Sequence, residues 1–406
     1  MTATGGVRHE SGSPLLRTWP DLAHGKLNKF LIPETIFGVG SLAEVGDSVR
    51  RAGGTRALVV SDPGVMAAGW VDRAIPYMEA AALEYQIWSD ITPNPKDREV
   101  EAGFQVYLDS GCDVLLAIGG GSPIDAAKAI AVLSGNGGRI LDYEGIDAVT
   151  RPIPPMVMVP TTGGSGADIS QFCVITDTVR RLKCTIAGRA LVPDISVTDP
   201  TLLTTMPPDL SAHTGLDALS HGIEAYVSRA ANFLSDVHAL AAIRGILDHL
   251  VVTLDDPTDL RAREGIAKAS LQAGLAFTNA LLGATHAIAH QIGGFLDLPH
   301  GLLNAVLLPH VMRFNAATHP ERFVGVARAM GVETERMHPR EAAEAAIERV
   351  EDLREKVGIP GGLQKVGVRR DDIGRFAENA LNDVYITTNP RTVSKEDVEQ
   401  ICLAAL

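Results

Sequence analysis

Basic residues, cysteines and aromatics are all scarce in this chain of 406 residues. Lys and Arg total 36 against 49 Asp and Glu, a formal charge of -13. A nucleic-acid duplex or an anionic membrane repels such a surface, and no Lys/Arg cluster offsets it, so neither is an expected partner. Four cysteines (Cys112, Cys173, Cys184 and Cys402) form no CxxC pair and no ladder of spacings. That excludes a disulfide framework and points to thiols of a reducing compartment. No apolar run approaches the ~18–20 residues that span a bilayer. The segment Met1–Gly25 mixes His9, Glu10, Arg17 and Asp21 without an apolar core, unlike a secretory signal. A soluble cytoplasmic protein is the expectation. The 40 Gly and 23 Pro follow no period, which excludes collagen-like and low-complexity chains. With 46% hydrophobic and 21% charged residues the chain is not disordered, and its length suits two or three domains.

Residues 1–27 are polar and aperiodic, and a flexible arm is expected there. FLIPETIFGVG from Phe30 reads as an edge hairpin broken by Pro33. Strand-like runs then alternate with helical stretches. RALVVSD (Arg56–Asp62), LEYQIWSD (Leu83–Asp90), DVLLAIGGG (Asp113–Gly121) and PPMVMVPTT (Pro154–Thr162) read as strands, with helices near Val71–Ala82, Arg98–Asp109 and Ile124–Leu133. Such alternation predicts βαβ units and a buried parallel sheet. Past Thr204 strand signals nearly vanish and helical periodicity runs to Leu406. Pro207-Pro208 marks a hinge, because the first proline bars its predecessor from a helix and the second can open one. The expected organisation is an α/β domain over 28–205 and an all-helical domain over 206–406, with no internal repeat.

Gly119-Gly120-Gly121-Ser122 ends an apolar run and opens a helix, with Asp125 and Lys128 on its first turns. Glycines permit close backbone approach, and the unpaired N–H groups of a helix start attract a pyrophosphate. A tight strand-to-helix connection explains the same residues without a ligand, and the run is not the GxGxxG fingerprint. A second Gly-rich turn, Pro160–Gly166, follows the next strand, and two such loops converge on the crevice where open α/β sheets bind ligands. Asp62 also ends a strand. A carboxylate there either accepts from an adenosine ribose, favouring NAD over NADP, or simply caps the following helix.

The histidines of the second half are unevenly spread. Asp217 and His221 lie four apart in a helical pattern, as do His286 and His290, while His300 follows Pro299 at the start of another helix. Three histidines and a carboxylate make a plausible shell for a divalent cation, Zn²⁺ or Fe²⁺. Taken singly, each is a hydrogen-bonded core or surface residue. The apolar setting of His286 and His290 favours ligation, since an unpaired buried imidazole costs about 1–3 kcal/mol. His213, His238, His249, His310, His319 and His338 have no comparable partners.

GGGSPIDAAKAIA, PTTGGSGAD, GLDALSHGIEAYVS and the long block AFTNALLGATHAIAHQIGGFLDLPHGLLNAVLLPH together resemble the iron-containing (group III) alcohol dehydrogenase family, from FGVGSL (Phe37–Leu42) to NPR (Asn389–Arg391). The resemblance implies an N-terminal dinucleotide-binding α/β domain with a parallel sheet and an all-α C-terminal domain, the fold shared with dehydroquinate synthase. It implies Asp217, His221, His286 and His300 as ligands, with His290 beside the nicotinamide. Gly120, Gly121, Ser122 and Asp125 fall at the pyrophosphate and nearby ribose; Thr161, Thr162, Ser165 and Lys183 around the cofactor; Asp62 at the NAD-selecting position; and Asn94 near the adenosine. Members are commonly dimers or larger homo-oligomers. TTGGSGAD replaces the family's usual TTAGTGSE, altering Ser165 and Asp168. Phe172 replaces a polar residue of some diol enzymes and Tyr385 a frequent Cys; with Phe277 they imply a bulkier, more apolar pocket.

The expected activity is alcohol oxidation or carbonyl reduction with NAD, in preference to NADP, and one divalent metal. The cation acidifies the alcohol, NAD takes the hydride, and His290 passes the proton outward. A metal-independent reductase of the maleylacetate type is one alternative. A sugar-phosphate cyclase is another, although Arg244 and Lys268 are isolated on the metal-bearing helices and form no phosphate grip. A non-enzymatic assembly module is the third.

Overall fold

The runs RALVV, VLLAIG and MVMVP are almost wholly apolar, and such strands are stable only when both faces are covered. In the computed structural model, which describes residues 29–406, they form the centre of a six-stranded parallel sheet. The strands in chain order are β1 (Glu34–Phe37), β2 (Arg56–Val60), β3 (Glu84–Trp88), β4 (Val114–Gly119), β5 (Gly145–Ile146), β6 (Met156–Pro160), β7 (Phe172–Asp177), β8 (Leu182–Ala187) and β9 (Ile195–Thr198). The large sheet runs β1-β9-β6-β4-β2-β3 with every pairing parallel.

Helices α1 (Val45–Arg51), α2 (Pro63–Ala67) and α3 (Trp70–Ala80) flank β2, and α4 (Asp97–Asp109) and α5 (Gly121–Asn136) flank β4. The alternation of a strand decides which helices each side chain meets. Ala57, Val59, Leu116, Ile118, Val157 and Val159 pack with Val45, Val49, Ala74 and Met78 of α1 and α3. Leu58, Val60, Leu115, Ala117 and Met158 pack with Val100 of α4 and Ile124 and Ile130 of α5. Each fully buried Val, Leu, Ile or Met side chain among them contributes about 1.5–3 kcal/mol. The chain steps outward from β2 to β3, returns to β4, then continues the other way to β6. This reversal leaves a crevice outside the carboxyl ends of β2 and β4.

Among the described residues no strand follows β9. The chain continues as α6 (Pro208–Val227), α7 (Phe233–Asp255), α8 (Leu260–Ala280), α9 (Ala284–Leu296), α10 (His300–Ala316), α11 (Pro320–Ala329), α12 (Pro339–Lys356), α13 (Ile373–Ala380) and α14 (Lys395–Ala404). Pro208 opens α6, where a missing N–H costs nothing.

Three sequence expectations need correction, and one falls outside the described region. The segment after Phe30 is not a hairpin: β1 is one edge strand, parallel to β9. A second sheet, β5-β8-β7, was not expected; its β7–β8 pair is an antiparallel hairpin. Helix α7, with 23 residues, is long and apolar enough to cross a bilayer, contrary to the reading that no stretch approaches that length. Its Ala242, Ile243, Ile246 and Leu250 are buried in the main core, and it carries Asp236, Arg244 and Asp248. The arm expected over residues 1–27 lies outside the described residues.

Candidate metal and dinucleotide site

A cavity of about 720 Å³ opens between the carboxyl ends of β2, β4 and β6 and the helices α6, α9 and α10. All the residues singled out in the sequence for cofactor, metal and pocket wall line it. One end is Gly-rich and the other holds the imidazoles.

At the first end the backbone comes bare to the cavity. A Cβ on Gly120 would sit 3.0 Å from Thr162 Cγ2, and one on Gly121 would sit 3.1 Å from the Ser165 Cβ, so a side chain at either glycine would press the two loops apart. Gly120 caps α5 with no side-chain acceptor for the first N–H groups, and Thr162 Oγ1 is buried without a partner. Unmet donors at a helix start beside an idle hydroxyl suit a pyrophosphate. Asp62 lines this end while its Oδ1 accepts from Val65 N–H at 3.0 Å, so the capping reading holds and Oδ2 takes no part in it. Asn94, in the left-handed region with φ +56, donates to Asp297 Oδ1 at 2.9 Å and Leu298 O at 3.2 Å, tying its loop to the α9–α10 turn. Burial pushes the Asp125 carboxyl up to about 7, against the pull of Lys128, and burial brings Lys183 down to about 8.

Lys128 does not reach the cavity. It is fully buried, and its ammonium donates to Ser170 O at 2.6 Å, Phe172 O at 2.9 Å and Ser170 Oγ at 3.3 Å, fixing the strand start that carries Phe172. Lys128→Met strands these acceptors in the core. The expected loss is about 3 kcal/mol, read as a several-degree fall in Tm; an unchanged melt refutes the role. Asp168 is likewise structural, accepting from Ser196 Oγ at 2.7 Å.

At the other end, Asp217 and His221 come from successive turns of α6, His286 from α9 and His300 from the first residue of α10. Asp217 Oδ1 lies 3.9, 3.7 and 3.8 Å from the Nε2 atoms of His221, His286 and His300. Those separations are too long for hydrogen bonds. They suit atoms sharing an ion, because bonds of about 2.1 Å at tetrahedral angles place ligands roughly 3.4 Å apart. One atom from each of the four residues lies within 4.8 Å of the others. Four electron-rich atoms facing one another under burial fit a divalent cation.

The outer contacts aim the rings. His221 Nδ1 lies 3.1 Å from Gly164 O, so the second Gly-rich loop turns its Nε2 inward. Gly164 permits this because a Cβ there would meet Thr214 O at 2.1 Å. His286 Nδ1 lies 2.6 Å from Glu224 Oε2, and the same carboxylate accepts from Gly283 N–H and Thr285 N–H at the start of α9. Burial brings His221 down to about 4 and His300 well below its ordinary range, despite Asp217. His286 is carried up to about 9 by Asp217 and Glu224, against burial. His290 stands beside the cluster, its Nδ1 2.8 Å from Asp383 Oδ2, and burial lowers its pKa.

An aromatic wall closes this end. Phe172 stacks on Phe277 at 5.9 Å and meets Tyr385 edge-on at 5.3 Å; His221 stacks on Phe277 at 4.5 Å. Glu224, Asn304 and Asp383 escaped the sequence reading, as did His213, set aside there yet lining the cavity. Helical spacing held a signal for two of them: Glu224 follows His221 by three residues and Asn304 follows His300 by four.

Two family models match the chain: iron-containing alcohol dehydrogenase over residues 33–200, and the C-terminal region of the Fe-containing alcohol dehydrogenase family over 211–406. The chain is 40% identical over 375 residues to the 1,3-propanediol dehydrogenase of Citrobacter freundii, covering 92% of this chain and 97% of that protein. It is 38% identical over 379 residues to the NAD-dependent methanol dehydrogenase of Bacillus methanolicus, covering 93% and 100%. A crystal structure of 1,3-propanediol oxidoreductase superposes with a TM-score of 0.91 at 39% identity, covering 94% and 100%. The parallel sheet, the helical half and these relatives define an oxidoreductase acting on CH–OH groups. The chain belongs to the iron-containing alcohol dehydrogenase family.

Proposed function

We propose that this protein interconverts a small, largely apolar alcohol and its aldehyde, with NAD at the Gly-rich end and one divalent cation, Fe²⁺ or Zn²⁺, at Asp217, His221, His286 and His300. The observation that carries the reading is that the four-residue cluster and the bare helix start open onto one cavity. When bound, the two cofactors supply Lewis acidity at the substrate oxygen and a hydride acceptor at its carbon.

The chain's own residues do the rest. Gly120, Gly121 and Ser122 hold the pyrophosphate, and Asp62 accepts from the ribose. His290, neutral and donating Nδ1–H to Asp383, keeps Nε2 free to accept the alcohol proton. Phe172, Phe277 and Tyr385 exclude water and favour an alkyl or aryl chain over a second hydroxyl. Among the described residues Lys183 is the only Lys or Arg lining the cavity, a poor grip for the phosphate of a cyclase substrate. The four buried free thiols support a reducing, cytoplasmic setting. The outer edge of β1, flanked by exposed Ile32 and Val39, supports a homo-oligomer.

Anaerobic purification with elemental analysis, followed by NADH formation on primary alcohols and diols, tests the reading. About one metal per chain and steady NADH release support it. Full turnover by stripped protein favours the metal-independent alternative. The Asp62 carboxylate predicts a preference for NAD over NADP, and Asp62→Ser is expected to narrow the ratio of kcat/KM at least tenfold through the NADP arm, since a 2′-phosphate no longer faces a carboxylate. An unmoved ratio removes Asp62 from cofactor choice.

A further inference from the structure

Asp297 ends α9 in the left-handed region, with φ +53, three residues before His300. Its carboxylate is the meeting point for a loop 203 residues away. Asn94 Nδ2 donates to its Oδ1 at 2.9 Å, and the Lys96 ammonium donates to both oxygens at 3.2 Å. Asn94 Nδ2 also donates to Leu298 O at 3.2 Å, and Lys96 Nζ to Pro93 O at 2.6 Å. A carboxylate and a carbonyl only accept, so chemistry fixes which end of the amide faces them. Asn94 and Lys96 are buried, whereas the Asp297 side chain is 59% exposed. An ammonium is costly to bury unpaired, so removing Asp297 unseats Lys96 and the loop tip with it.

The two tied segments serve opposite ends of the site. Residues 91–95 line the cavity on the dinucleotide side, and Pro299, His300 and Gly301 line it at the cluster. The loop is also held to β7: Thr176 N–H donates to Pro95 O at 2.8 Å, and Thr176 Oγ1 to Asn94 O at 3.3 Å. Those bonds stay within the α/β half. Asp297 and Leu298 carry the tie on to the turn that leads into His300, although Asp297 itself does not line the cavity.

We propose that Asp297 is a positioning residue that joins the two ends of the site, so that this one exposed carboxylate supports both dinucleotide and cation binding. The inference rests on the cofactor and metal reading above. The dinucleotide meets a loop already seated, and His300 starts α10 from a turn that is held in place. Ordering either segment orders the other, and such coupling is reciprocal. No bond forms or breaks, and no proton moves.

The test uses full-length, chelator-stripped protein and two separate titrations: NADH without metal, followed by fluorescence, and Zn²⁺ without dinucleotide, followed by calorimetry. Asp297→Gly removes the carboxylate yet keeps the helix end, because glycine favours a left-handed cap. Both affinities are expected to fall about fivefold or more, with the melting curve close to wild type. Asp297→Asn keeps an acceptor for Asn94 without the charge for Lys96, folds with the same cap, and is expected to fall between the two. Asn94→Gly cuts the tie from the dinucleotide side and is expected to weaken Zn²⁺ binding as well. Combined with Asp297→Gly it adds nothing further, since both break one tie. Loss of only one affinity in Asp297→Gly, or of neither, overturns this proposal alone; so does a lowered melt with both affinities kept. A wild-type protein that binds neither NADH nor Zn²⁺ overturns it together with the reading it rests on.

Discussion

Asp217→Ala is expected to lose its metal and at least ~10³-fold in turnover while remaining folded. Asp217 is the one anionic group whose oxygen faces all three Nε2 atoms. Without it the cluster offers imidazoles alone, and the ion's charge goes uncompensated in a buried site. Lewis-acid catalysis contributes several kcal/mol, and each 1.36 kcal/mol is tenfold in rate, so a loss of about 4 kcal/mol is the natural scale. Elemental analysis and circular dichroism on the same sample decide it. A metal-free variant that still turns over at a tenth of the wild-type rate sinks the mechanism.

The same cluster predicts a pH dependence of metal binding. His286 is held up to about 9 by Asp217 and Glu224, so below that pH metal-free protein carries a proton on this ring. An incoming ion must displace it, and apparent affinity therefore falls as pH drops through 9 toward 7. Calorimetry in two buffers of different ionisation enthalpy should register close to one proton released per ion near neutrality. No release would contradict the assignment.

Asp383→Asn should lower kcat by 10²–10⁴ with KM and metal content unchanged. Asp383 Oδ1 accepts from Tyr385 N–H at 3.0 Å, while Oδ2 takes His290 Nδ1 at 2.8 Å. In the Asn variant the backbone donor keeps the carboxamide oxygen, which leaves the NH₂ facing Nδ1. The ring must then accept at Nδ1 and carry its proton on Nε2, the nitrogen needed as base. Proton transfer by a positioned group is worth about 10²–10⁴. A kcat within threefold of wild type removes His290 from the proton path.

Much of this was legible in the chain. The βαβ rhythm showed because the central strands are buried on both faces and so read as continuous apolar runs. The β7–β8 hairpin did not: its strands mix Asp177 and Lys183 among apolar residues, and its turn lacks Gly and Asn. Arg181 takes φ +56 there, and Asp177 accepts from Val179 N–H and Arg180 N–H at 2.8 Å, so side-chain bonds substitute for the usual turn residues. Lys128 is a related case. It lies on the turns that follow the Gly-rich segment, yet helical rotation carries its side chain into the core.

Local spacing sufficed to pair Asp217 with His221 and His286 with His290, because one helical turn returns a side chain to the same face. It also sufficed to place bare backbone at two strand ends, since glycine leaves no other option. Folding alone settled which imidazoles point inward and which one turns to Asp383. Those orientations depend on Gly164 O, Glu224 and Asp383, partners up to 93 residues away along the chain from the rings they aim. Hydrogen bonds between distant segments have no period, so no pattern in the chain announces them before the helices meet.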